Sequence, residues 1–210
     1  REDFVYRLKA EIGNPPEIEM KKLELDFDIG KVGESEKNNS LSDAQKVSFP
    51  SLVNGAVDTP GDMDYFRIKA VKGEKIVAEV FARRLDSPLD SLIQILDRKG
   101  KVLFWNDDWN WPNIGTQTHH ADSYCMFEVP EDGDYFIRIS DAQAKGGENF
   151  KYELRIDRPR PDFQIYMSPS ALNTNAGVST PFTVNVFRMD GFDKPITVNI
   201  NNGPKGIKIG

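Results

Sequence analysis

From Val47 to Ile156 the chain is a succession of short strand-like runs: VSFPSLVNGAV, DYFRIKAV, EKIVAEVFAR, SLIQIL, KVLFW, SYCMFEV, DYFIRIS and FKYELRI. They recur roughly every ten residues, the cadence of an all-β sandwich or barrel. Turn signals separate them at Thr59-Pro60-Gly61, Lys72-Gly73, Lys99-Gly100, Asp132-Gly133 and Gly146-Gly147. No stretch of convincing length carries the periodicity of an amphipathic helix. The expected fold is therefore all-β, a β-sandwich or jelly roll over residues 45–157 with almost no helix.

Residues 89–142 read as two back-to-back hairpins, Asp90-SLIQIL-DRKG-KVLFW-Asn106-Asp107-Asp108 and Asp122-SYCMFEV-PEDG-DYFIRIS-Asp141. With turns at Arg98–Gly100 and Asp132–Gly133, Asp90 comes opposite Asp107, and Asp141 comes close to Asp122. Carboxylates gathered at one rim suit a hard cation. Asp90, Asp107, Asp122 and Asp141 therefore form one candidate metal set. The competing reading is that they are turn residues bonded to their own backbone.

Composition narrows the function. Of the 210 residues 39% are hydrophobic and 29% charged, enough for a packed core. The net charge of −6, with no basic stripe, excludes a nucleic-acid backbone as the main partner and leans towards cations. Cys125 has no second cysteine to pair with and sits in mid-strand, as a buried thiol does. No run approaches the ~20 apolar residues of a membrane span. Catalytic signatures are missing: no Gly-x-Ser-x-Gly elbow, no His-Glu-x-x-His, no glycine-rich phosphate loop. The stretch is expected not to be an enzyme, and a hydrolase fragment is the least favoured reading.

An internal echo organises the ends. Glu2-Asp3-Phe4-Val5-Tyr6-Arg7-Leu8-Lys9 resembles Glu148-Asn149-Phe150-Lys151-Tyr152-Glu153-Leu154-Arg155, and each copy runs into a proline-bearing linker, Asn14-Pro15-Pro16 or Arg158-Pro159-Arg160-Pro161. Residues 1–16 are expected to close a preceding module, so that the chain is an excerpt whose targeting segment lies elsewhere. Residues 17–44 hold an edge-type strand, EIEMKKLELDFDI, and a polar lead-in. After the sandwich, residues 158–210 offer three or four strands and look like part of an immunoglobulin-like domain.

The stretches NGAVDTPGDMDYFRIKAVKGEKIVAEV, SPLDSLIQILDRKGKVL, VPEDGDYFIRISD and FKYELRI, in that order, resemble the bacterial pre-peptidase C-terminal domain. The resemblance covers roughly residues 31–157. It implies a jelly-roll module appended to secreted peptidases and other large exported proteins. The loop NDDWNWPNIGTQTHHADSY and the RMDGFDKPITVNI segment resemble versions in large surface proteins of planctomycete-type bacteria, where an immunoglobulin-like unit follows. The collagen-binding domains of clostridial collagenases are similar in fold and bind calcium. That relative implies a calcium site from Glu34-Ser35-Glu36-Lys37-Asn38-Asn39 with Asp62-Met63-Asp64-Tyr65. The ligands would be Glu34, Glu36, Asn38, Asn39, Asp62 and Asp64. The chain departs at Asn39, where the family pattern has Asp, and a lost carboxylate weakens calcium binding.

The loop Trp105–His120 carries Trp105, Trp109, Trp111, His119 and His120. Either the tryptophans fold inward as a small core that pins the loop, or they stack on a ligand. In the second case Trp109, Trp111 and His119 are the binding residues, and the partner is an extracellular glycan or protein. The expectation that follows is a non-catalytic, calcium-stabilised accessory, adhesive or spacer module of a large exported bacterial protein, lying outside the cell, on its surface or in the periplasm. Its partners would be adjacent domains of the same protein.

Overall fold

The computed structural model describes residues 6–9, 28–108, 121–169, 172, 175 and 177–201. The described chain is built of strands: β1 (Tyr6–Lys9), β2 (Gly30–Gly33), β3 (Gln45–Lys46), β4 (Ser51–Ala56), β5 (Met63–Ala70), β6 (Lys75–Phe81), β7 (Ser91–Leu96), β8 (Val102–Asn106), β9 (Tyr124–Glu128), β10 (Gly133–Asp141), β11 (Lys151–Asp157), β12 (Asp162–Ser168), β13 (Thr183–Met189) and β14 (Val198–Asn201). Helix among the described residues is limited to a 3-10 turn at Arg83–Leu85. None of it is long and apolar enough to cross a membrane.

Two five-stranded sheets face each other, β3-β5-β10-β7-β8 and β2-β4-β11-β6-β9. Alternation in each strand sends one set of side chains inward. Phe66, Ile68, Ile93, Ile95, Ile137 and Ile139 of the first sheet meet Val53, Ile76, Val80, Phe127, Leu154 and Ile156 of the second, all at most 2% exposed. Burying a side chain of this size contributes about 1.5–3 kcal/mol, so this layer is what fixes the sandwich.

The first hairpin forms as read: β7 and β8 pair antiparallel, with a bulge between Ile95 and Leu96. The second does not. β9 pairs with β6 in one sheet, while β10 pairs with β5 and β7 in the other. The PEDG segment is thus an arch between sheets. Its start is tied to the β5–β6 turn, where Gly73 N–H donates to Val129 O (2.8 Å) and Val129 N–H to Glu74 O (2.9 Å). Alternation says which face a strand buries; it does not say which sheet the strand joins.

The polar lead-in also contributes. β2 runs parallel to β4 in the register Gly30↔Ser51 to Gly33↔Asn54, and β4 in turn pairs antiparallel with β11, Ser51 facing Ile156. After Asp157, β12 and β13 form an antiparallel pair, and β14 pairs in parallel with β1.

Candidate metal centre

Glu34 follows directly on β2, and its backbone N–H extends the ladder to Asn54 O (2.8 Å). Its side chain turns over β4: Oε2 accepts from Ala56 N–H (2.8 Å) and Oε1 from Asn38 Nδ2 (2.9 Å). This approach needs a glycine at 55. A Cβ there would stand 2.5 Å from Glu34 Oε2 and 2.5 Å from the Tyr152 hydroxyl. That hydroxyl, on β11, lies 2.8 Å from Asp64 Oδ2 and 3.2 Å from Glu34 Oε1, and its single hydrogen can serve only one of them. β5 supplies Asp64, which is 0% exposed.

One oxygen each from Glu34, Glu36 and Asp64 lie within 4.8 Å of one another. Oxygens on a calcium ion at 2.3–2.6 Å stand no more than about 5 Å apart, so the three can share one ion. Two further oxygens have no partner: Asn38 Oδ1, on a residue 1% exposed, and Asp64 Oδ1. Because the Asn38 amide nitrogen is committed to Glu34, its oxygen is left as an acceptor without a donor. Leaving a buried acceptor unmet costs about 1–3 kcal/mol.

The electrostatics agree. Burial first, then the charge of Glu34, pushes the Asp64 carboxyl up to about 9, against a hydrogen bond from Tyr152 that lowers it. Glu36 is raised by burial and then by Glu34, Asp58 and Asp62. Tyr152 is raised by burial and then by Asp64 and Glu34. Acidic groups raised together in this way are short of positive charge, and a hard cation with oxygen ligands supplies it.

The six residues expected as ligands divide. Glu34, Glu36 and Asp64 converge, and Asn38 joins them through its amide N–H to Glu34. Asn39 and Asp62 flank them and bond to each other: Asn39 Nδ2 donates to Asp62 Oδ1 (2.9 Å). Asp62 also accepts from Met63 N–H (2.9 Å) and Asp58 N–H (2.9 Å), so N–H donors already surround it. Three contributors escaped the sequence reading. Asp58 adds negative charge that raises the Glu36 carboxyl, but in VDTPGD it reads as an ordinary turn residue. Tyr152 lies 118 positions from Glu34. Gly55 has the only sequence signal, a glycine inside a strand, which marks close backbone approach.

The rim set does not assemble: among the described residues Glu34, Glu36 and Asp64 are the one acidic group with metal spacing. Asp122, fully buried, accepts from the N–H groups of Ala82 (3.0 Å), Arg83 (2.6 Å) and Arg84 (3.2 Å) and from Arg84 Nε (2.7 Å). Asp141 accepts from the N–H groups of Asp90 (3.0 Å), Gln143 (2.9 Å) and Lys145 (3.0 Å). Asp90 Oδ2 accepts from Gln143 Nε2 (3.0 Å). Asp107 lies past the last paired residue of β8, Asn106. Asp122 and Asp141 are thus already met by backbone N–H groups, as turn-building carboxylates are. Trp109, Trp111 and His119 lie outside the described residues; Trp105 is 62% exposed.

No protein-family model matches the chain. Over 116 residues it is 32% identical to a probable subtilase-type serine protease of Deinococcus radiodurans, a match covering 54% of this chain and 15% of that protein. Two solved structures share part of the fold. One is the pre-peptidase C-terminal domain of a Bacillus anthracis collagenase (TM-score 0.41, 11% identity, 54% of this chain and 94% of that one). The other is PliG of Aeromonas hydrophila, a periplasmic inhibitor of g-type lysozyme (TM-score 0.39, 14% identity, 61% and 96%). The chain spans a small fraction of the protease's length.

Proposed function

We propose that this stretch is a non-catalytic accessory module of an exported bacterial protein, and that calcium completes its fold. One observation carries the calcium reading: oxygens of Glu34, Glu36 and the buried Asp64 lie within 4.8 Å of one another, and beside them Asn38 Oδ1 and Asp64 Oδ1 are buried without a hydrogen-bond partner. Three acids and an amide oxygen are a hard-cation set; the soft sulfur and imidazole ligands that favour zinc are missing from it. The cation ties the lead-in after β2 to β5, and through Tyr152 to β11. Its binding free energy is therefore folding free energy. The resemblance to pre-peptidase C-terminal domains and the likeness to a subtilase-type protease support the accessory role and a location outside the cytoplasm. The test is thermal melting in chelator and in calcium. At a hundredfold excess over Kd, calcium adds about 2.7 kcal/mol. Melting that is identical in both conditions refutes the reading, as does an E34Q/E36Q variant that keeps the parent's calcium response.

A further inference from the structure

On β4, β6 and β11 part of the set of side chains that alternate away from the core is not exposed as an outer sheet face should be, whereas Asn54, Lys75, Met126, Glu128 and Lys151 on the rest of that face are exposed. Leu52 and Val77 lie outside the core cluster and are 0% exposed; Glu79, Arg155 and Asp157 are buried with them. A solvated face of an antiparallel sheet alternates apolar-in with polar-out, and its polar side stays wet. Around Leu52, Val77, Glu79, Arg155 and Asp157 this one is covered.

What touches it is the turn after β13. Arg155 reaches across the sheet, donating from Nε to Glu79 Oε2 (3.0 Å), from Nη1 to Asp190 Oδ2 (2.9 Å) and from Nη2 to Asp190 Oδ1 (3.0 Å). Asp190 is 6% exposed and also accepts from the Tyr124 hydroxyl (3.0 Å) and from Arg160 N–H (2.7 Å). Asp190 (φ 50°) and Gly191 (φ 76°) both sit in the left-handed region, a tight reversal that aspartate and glycine tolerate. Beyond them Phe192 is buried and packs on Phe163, ring centroids 4.9 Å apart. A lone pair of strands does not bury a phenylalanine to 2% exposure by itself, yet Phe163 reaches that value on β12. On the sandwich side the chain of charges continues from Glu79 to Arg84 and from Arg84 to Asp122.

We propose that the outer face of the β2-β4-β11-β6-β9 sheet is a docking surface for the unit that follows it in the chain. Asp190 is the anchor, bound by the Arg155 fork and Tyr124, so that the sandwich and the β12–β13 unit tumble as one body. The occupant is fixed by the side-chain bonds above, and the inference does not depend on the cation site. The bidentate geometry specifies orientation as well as contact, because a planar fork accepts a carboxylate in one plane.

The test uses the full chain and residual dipolar couplings. One alignment tensor is expected to fit the sandwich and β12–β13 together in the parent. In D190N two tensors are expected, and exchange of the Arg160 amide should accelerate at least tenfold while Leu154 keeps its protection. A parent needing two tensors overturns the proposal, as does a D190N variant that still fits one. If D190N fails to fold, Y124F decides: it removes a single donor to Asp190, and a severalfold faster Arg160 exchange supports the anchor, whereas unchanged exchange overturns it.

Discussion

Asp64 couples the metal site to pH. Its carboxyl ordinarily ionises near 3.8 and in the fold is held at about 9. Without a cation the native chain therefore keeps a proton that the unfolded chain releases near pH 4. This contribution to stability is complete below about pH 4 and is lost as pH rises towards about 9, at about 1.4 kcal/mol per pH unit. Between pH 4 and pH 7 that is on the order of 4 kcal/mol. Calcium needs the ionised carboxylate and expels the proton. Losing one proton per ion, the apparent Kd should rise about tenfold for each pH unit below 9, so about a hundredfold from pH 8 to pH 6. Glu36, also raised, steepens the slope if it releases a second proton. Titration calorimetry at pH 6, 7 and 8 reads the affinity, and urea unfolding in chelator reads the cation-free slope. D64N is the control. It removes the proton and lets an amide donate towards Glu34, so its cation-free stability should vary less with pH and its calcium response should vanish. A Kd unchanged from pH 8 to pH 6, or a D64N variant that binds calcium as the parent does, would refute the reasoning.

Three further outcomes are expected. G55A places a methyl 2.5 Å from both Glu34 Oε2 and the Tyr152 hydroxyl; overpacking of this kind costs about 1–3 kcal/mol, and the calcium-dependent shift in Tm should shrink with it. N39D replaces the amide that bonds Asp62 with a carboxylate, so the variant should melt lower than the parent in chelator and gain more from calcium, because added ligand charge raises affinity. Cys125 is 6% exposed and its thiol is pushed up to about 12 by burial, so a disulfide reagent at pH 8 should leave it unmodified until the sandwich unfolds, with labelling tracking the loss of β signal in circular dichroism.

The strand cadence made the fold legible: a two-sheet sandwich buries one side of each strand, and the alternation of Phe66, Ile68 and Ala70, or of Ile137 and Ile139, records that directly. Sheet membership was not legible. SYCMFEV and DYFIRIS are separated by a turn sequence that suits a hairpin and an arch equally, and only the pairing of Val129 with Glu74 and Gly73 settles it. The cluster of Glu34, Glu36 and Asp64 was legible only through the resemblance that named them as candidate ligands. Asp58 and Tyr152 were not, because a turn aspartate and a strand tyrosine have other ordinary uses. The rim aspartates misled for a related reason: Asp122 and Asp141 stand where a carboxylate is most useful to backbone N–H groups, and sequence alone cannot tell an anion waiting for a cation from one already satisfied by amides.

The parallel pairing of β2 with β4 bears on how far this module reaches. Gly30 begins β2 opposite Ser51, and Ser51 stands opposite Ile156 near the end of β11. The polypeptide thus comes into the sheet and leaves it at the same end, two strands apart, or about 10 Å at the usual strand spacing. Inserted in a longer chain, the sandwich hangs to one side of the path, adding bulk and surface but little contour length. Tension along the parent would act across the β2–β4–β11 ladder, peeling its hydrogen bonds open one after another rather than loading them in unison, and a cation bridging Glu34 to Asp64, beyond Gly33 at the far end of that ladder, would be the last tie that peeling reaches.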